Sequence, residues 1–224
     1  MQNIKIYKDY FENNKARHIK KIQKLLQQPC IASKGIGGNE TVDLLAHYFR
    51  DLEFQEVEKL TAKNFPGLWI SCQSGGKKTI ANYYMLDTSP ANIQGWESNP
   101  FQAKIISKDS MGKVLMARGA VRRKGPLVIW LNALEAMKKI EGKLPVNIVG
   151  LAETDEMAGS PSYRQFFNQH RDQIKKAQAA FCPGITQNMT GKSKITLGYK
   201  GILNLRLGIT GKSWGKGPQE KPIH

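Results

Sequence analysis

The hydrophobic period of this sequence switches between helical and extended spacing several times along the chain. Only folds that pack helices against a sheet accommodate such alternation, so the fold class expected is α/β, with a mixed central sheet flanked by helices. Ile4 to Gln28 reads as a helix, with Ile4, Tyr7, Phe11, His18, Ile22 and Leu25 near one face and Pro29 ending it. A second helix is expected over Glu40–Leu52. Strands follow at Gln55–Thr61, Leu68–Gln73 and Thr79–Leu86, with Gly75-Gly76 as a turn. Short strands at Ala103–Ser107 and Val114–Ala117 precede a helix over Gly125–Glu141, whose Pro126 suits a first turn. A buried strand at Val146–Leu151, a helix over Ser160–Lys176 and strands at Ala179–Phe181, Lys194–Leu197 and Ile202–Ile209 complete the pattern. Beyond Gly211 it gives way to basic and turn residues. Residues 1–210 are therefore expected to form the domain and 211–224 an irregular basic tail.

Composition narrows the function classes. Three widely spaced cysteines, Cys30, Cys72 and Cys182, make neither a disulfide framework nor a paired-cysteine zinc finger, and a reducing compartment suits them. The N-terminus lacks the apolar core of a signal peptide, and no stretch approaches the ~18 apolar residues of a membrane span, so a cytoplasmic protein is expected. The net charge of +16 permits polyanionic partners. It is concentrated in the first helix and in residues 191–224. No recognised nucleic-acid motif accompanies it, so a solvated basic surface is the plainer reading and a polyanion-binding module the alternative. The glycine-rich Ser33–Gly38 lacks the Lys-Ser/Thr of a phosphate loop and reads as a connector. His18, His47, His170 and His224 have no partner at metal-ligand spacing.

Sites in α/β folds gather in loops after strand carboxyl ends. Three such loops carry candidate chemistry: the one beginning at Asp87, Arg118–Gly125, and Glu153-Thr-Asp-Glu-Met157. Their acids suit ligand or general-base roles. A solvated loop with carboxylates at a helix N-terminus accounts for them equally well.

Taken in order, Asp87, Trp96-Glu-Ser-Asn-Pro-Phe101, Ala117-Arg-Gly-Ala120, Lys124-Gly-Pro126, Asn132-Ala-Leu-Glu-Ala136, Glu153-Thr-Asp-Glu156 with Gly159-Ser160, and Ile195-Thr-Leu-Gly-Tyr-Lys-Gly201 form a pattern. It resembles the family of co-catalytic zinc hydrolases that includes aminoacylases, carboxypeptidase G, succinyl-diaminopimelate desuccinylases and carnosinase-like dipeptidases. The likeness spans roughly residues 4–210. It implies the first part of a zinc-exopeptidase-like catalytic domain, without the lid domain that mediates dimerisation in the family and without the returning C-terminal part. It also implies hydrolysis of small amide or dipeptide substrates by a metal-bound water, with a glutamate as general base.

Carried over residue by residue, the resemblance puts the general base at Glu156 and the orienting aspartate at Asp87. The family's ligand positions fall instead on Met85, Arg122, Met157 and Pro183, with Gly184 as the neighbouring alternative. A guanidinium cannot replace a bridging anion, because it stays protonated. Thioethers are poor zinc ligands. The expectation is therefore a relative that has lost its metal ligands, holds no cofactor and is catalytically inactive; an active metal-dependent peptidase remains the alternative if ligands come from elsewhere. Arg122 is expected to pair with Asp87 or Glu156, and Arg122 and Arg123 to be able to capture a small carboxylate ligand. Met85, Met157 and Cys182 read as cavity-filling sulfur residues, with a soft-metal site as the lesser alternative. The lid-mediated dimer is not expected.

Overall fold

The computed structural model describes residues 4–109, 111–184, 195–198, 201, 203, 205–208 and 211. The chain divides into two compact units, Met1–Ser193 and Lys194–His224. Helices α1 (Ile4–Gln27) and α2 (Gly38–Asp51) come first, followed by β1 (Glu56–Ala62), β2 (Phe65–Cys72) and β3 (Thr79–Met85). The hairpin β4 (Lys104–Lys108) and β5 (Gly112–Met116) leads to α3 (Lys124–Glu141) and β6 (Asn147–Glu153). Then come α4 (Tyr163–Gln169), α5 (Arg171–Ile174) and β7 (Ala179–Phe181).

The central sheet has the order β1-β2-β6-β3-β7. β1, β2 and β6 run antiparallel in turn, whereas β3 pairs in parallel with both β6 and β7. The expected mixed sheet is thus present. The Gly75-Gly76 turn does not join paired strands, however, because β6 inserts between β2 and β3. The period of two along β2 explains the layers. Leu68, Ile70 and Cys72 point into a core shared with α1, α2 and α3, through Leu25, Leu45, Phe49, Leu127 and Leu131. Trp69 points the other way, where Val149, Leu151 and Phe166 close a smaller core under α4. Burying each such Leu or Phe contributes about 1.5–3 kcal/mol relative to exposure.

The single helix expected over Ser160–Lys176 is two short ones. His170 adopts φ −120° between them, and its ring stacks on Trp69 at 4.0 Å between centroids. In the second unit the described residues lie in neither helix nor strand, so the strands expected at Lys194–Leu197 and Ile202–Ile209 are not found at those positions. Lys194, Ile202, Asn204 and Ile209 lie outside the described residues, as do 209–210 beside the expected domain boundary. Among the described residues, no helix is long and apolar enough to cross a membrane.

Candidate functional site

Parallel pairing of β3 with β6 brings two of the candidate loops side by side. Met85 is in register with Glu153, and the Leu86 amide donates to the Glu153 carbonyl at 2.9 Å. The chain leaving β3 thus delivers Asp87 next to the turn Glu156–Ala158 that follows β6. The third loop arrives at the N-terminus of α3. There a Cβ on Gly125 would sit 1.9 Å from the Ala120 carbonyl oxygen, so only glycine lets the helix start this close to the preceding turn. Gly125→Ala is expected to destabilise the fold by at least about 1–3 kcal/mol, the range typical of overpacking, measurable by urea denaturation.

Asp87 is fully buried. Its Oδ2 accepts the Met157 amide at 2.8 Å, and its Oδ1 lies 3.2 Å from Arg123 Nη1, which also donates to the Asp87 carbonyl at 2.9 Å. Burial raises the Asp87 pKa, opposed by the Met157 amide and the Arg123 charge. The second guanidinium nitrogen of Arg123, Nη2, donates to Glu156 Oε2. One side chain therefore bridges both acids that the sequence singled out. The bridging residue is Arg123, whereas Arg122 was expected; Arg122 is exposed to solvent. The difference comes from the backbone. Arg123 has φ 72° and ψ −96°, a strained conformation for a residue with a side chain, and it turns the guanidinium inward at the start of α3.

The remaining positions converge on the same place. The Arg123 amide faces the Gly184 carbonyl at 3.5 Å. Pro183 and Gly184 are both buried. A Cβ built on Gly184 would lie 2.7 Å from the Met85 methyl and 3.1 Å from the Cys182 sulfur, so these two side chains meet over that glycine. Met157 is 48% exposed, and its sulfur lies 3.9 Å from the Ser89 hydroxyl. Burial, together with the neighbouring Glu156, raises the Cys182 thiol pKa.

Two further buried groups lie in these loops, Lys124 within Arg118–Gly125 and Glu153 at the head of Glu153–Met157. Lys124, 1% exposed, donates its ammonium to the Gln28 carbonyl, and burial pushes its pKa down to about 8. Glu153, fully buried, accepts the Tyr83 hydroxyl and the Ser160 hydroxyl on one carboxyl oxygen, the latter at 2.9 Å. Its other oxygen, Oε2, and Asp155 Oδ1 are buried without an assigned partner. Burial, with the Asp155 carboxyl beside it, pushes the Glu153 pKa up to about 8. A proton on Glu153 Oε2 donated to Asp155 resolves both unpartnered oxygens at once. The signal in the sequence was the spacing of Glu153 and Asp155, one residue apart at a strand end; alternation alone does not reveal that both point inward.

Residues 86–199 match the model of peptidase family M20/M25/M40, which is half of the chain. The chain belongs to this family. Among its relatives, the Cys-Gly metallodipeptidase of Schizosaccharomyces pombe is 30% identical over 139 residues, covering 61% of this chain and 28% of that protein. Human Beta-Ala-His dipeptidase is 36% identical over 99 residues, covering 44% and 18% respectively. Among solved structures, an M20 family metallo-carboxypeptidase from Sulfolobus solfataricus superposes with a TM-score of 0.69 at 25% identity, over 78% of this chain and 39% of that one. Human carnosine dipeptidase 1 gives the same TM-score, 0.69, at 20% identity, a likeness of fold, over 80% of this chain and 41% of that one. The chain thus spans less than a third of the length of these curated M20 relatives.

Proposed function

We propose that this chain is a non-hydrolytic M20 relative in which an internal guanidinium occupies the charge position of the family's metal ions. The observation that carries this reading is the Arg123 bridge between Asp87 and Glu156. A dinuclear zinc centre needs a bridging anion, nitrogen ligands and further carboxylates. Here the two available acids already surround a fixed cation, and Met85 and Met157 present thioethers. Among the described residues, no three His, Cys, Asp or Glu side chains come together as a metal-holding group. The residues present therefore do not fit a pair of divalent ions, and no hydrolytic step is derived through them. Glu156 remains as a residual general base and Asp87 as a residual orienting carboxylate, both held by the one Arg123 guanidinium. Capture of a small carboxylate ligand then falls to the exposed Arg122 alone, because both terminal nitrogens of Arg123 are engaged.

Elemental analysis of desalted protein purified in zinc tests the reading. The wild-type chain is expected to carry no stoichiometric zinc. The variant Met85→His, Arg122→Asp, Arg123→Asp, Met157→Glu, which removes both guanidiniums and supplies hard donors, is expected to gain it. About two zinc ions per wild-type chain, together with hydrolysis of Cys-Gly or β-Ala-His, would overturn the proposal.

A further inference from the structure

A groove of about 480 Å3 lies on the α4 side of the sheet, lined by Lys63, Pro161, Arg164, Gln165, Asn168 and Gln169. It has two cations and three primary amides, and no carboxylate lines it. None of these five polar side chains has a hydrogen-bond or ion-pair partner among the described residues. We propose that this groove is a binding site for a small oxyanion ligand, one bearing a carboxylate or phosphate group, held by Lys63 and Arg164 with the amides as additional donors.

Several features show that the groove is organised by the fold. Lys63 and Asn64 form the two-residue turn between β1 and β2, both with positive φ, 50° and 68°. Such turns favour Asn-Gly or Asp-Gly, and lysine at φ > 0 is conformationally costly, so the charge is placed here against local preference. The opposite wall is anchored to that hairpin. The buried Ser162 hydroxyl donates to the Ala62 carbonyl at 2.8 Å, and the Ser162 amide donates to Asp155 Oδ2 at 2.9 Å. Ala62 precedes Lys63 and Ser162 lies two residues before Arg164, so this hydrogen bond ties together the two backbone segments that carry the cations. Phe166, fully buried, holds α4 down on the sheet. Gln165, Asn168 and Gln169 share one face of α4 through their i, i+3 and i+4 spacing. Two cations carried on tethered segments, with no carboxylate lining the groove between them, attract an anion. The volume falls within the range of small-molecule sites, ~300–1,000 Å3.

The test is an NMR titration of the full chain, following the Arg164 Nε–H and the Gln165, Asn168 and Gln169 side-chain amides. Inorganic phosphate and N-acetyl-Glu-Glu are added separately at constant ionic strength. Saturable shifts confined to these groups are expected. Lys63→Ala and Arg164→Ala, both at exposed positions, should each weaken binding about tenfold or more, and Lys113→Ala, exposed on β5, should not. Saturation by only one of the two probes identifies the oxyanion and supports the site. Shifts that do not saturate and spread over many surface cations would overturn it, as would binding that survives both substitutions.

Discussion

Replacing Arg123 with glutamine is expected to cost about 3–5 kcal/mol of folding stability, the range for breaking a buried ion pair by removing one partner. Glutamine is too short to reach both acids and carries no charge. It would leave Asp87, fully buried, without its cation, and Asp87 already has a pKa raised by burial. The cost comes mainly from stranding that carboxyl, since the ion pair itself repays desolvation only in part. For a chain of this size, the loss corresponds to a fall in melting temperature of roughly 10 °C. Arg122→Gln is the internal control. Arg122 is exposed, so its replacement should stay within about 0.5 kcal/mol of wild type. Arg123→Gly should be less damaging than Arg123→Gln by up to about 1 kcal/mol, because glycine relieves the positive φ of 72°. The combination Arg123→Gln with Asp87→Asn and Glu156→Gln, which removes all three charges, should recover part of the loss. Equal stabilities for Arg122→Gln and Arg123→Gln, measured by urea denaturation, would show that the bridge contributes nothing to the fold.

The distinction between these neighbouring arginines marks the limit of what the sequence could say. Periodicity, short apolar runs and flanking turn residues placed α1, α2, α3 and the strands through β7 to within a few residues. Position after predicted strands located the three loops that converge at the site, and the motif order gave their residues roles. Which of Arg122 and Arg123 turns inward depends on one backbone angle at the start of α3, and residue type carries no signal for a strained φ on arginine. The break at His170 was hidden for a related reason: the helical period continues through it, while stacking on Trp69, more than a hundred residues away in sequence, interrupts the helix. β6 inserting between β2 and β3 is likewise a long-range choice. The raised pKa that keeps a proton on Glu153 depends on its burial beside Asp155, and the hydroxyls of Tyr83 and Ser160 oppose it; only the β3–β6 register and the following turn bring these neighbours together.

That proton makes the stability of this chain fall as pH rises from about 4.5 to about 8. The Glu153 carboxyl has an ordinary value of 4.5, pushed up to about 8 by burial and by the adjacent Asp155. Between these values the unfolded chain has released the proton and the folded chain still holds it. Stabilisation is therefore complete below the lower value and is lost as pH passes through the upper one. The full swing is at most about 5 kcal/mol, at 1.36 kcal/mol per pKa unit. Two other groups bound the window. Glu135 is buried, but hydrogen bonds from Arg17 and Tyr10 outweigh that burial and hold it down at about 2, so its contribution is lost only as pH falls below about 4.5. Lys124, lowered from 10.5 to about 8 by burial, acts in the opposite direction above pH 8, where the unfolded chain binds the extra proton and stability rises with pH. The raised Asp87 adds to the decline at the acid end, while burial lowers the His18 pKa from 6.5 and so opposes the decline just below that value. The fall between about pH 6.5 and 8 is the signature of Glu153. Glu153→Gln isolates it. The amide oxygen can still accept from Tyr83 and Ser160, while its NH2 donates to Asp155 without titrating. The variant should lose most of the slope between about pH 6.5 and 8 and exceed the wild type in stability at pH 8 by a few kcal/mol. A wild-type profile that is flat across that range, or a variant with the same slope as wild type, would place the ionised form of Glu153 in the native state.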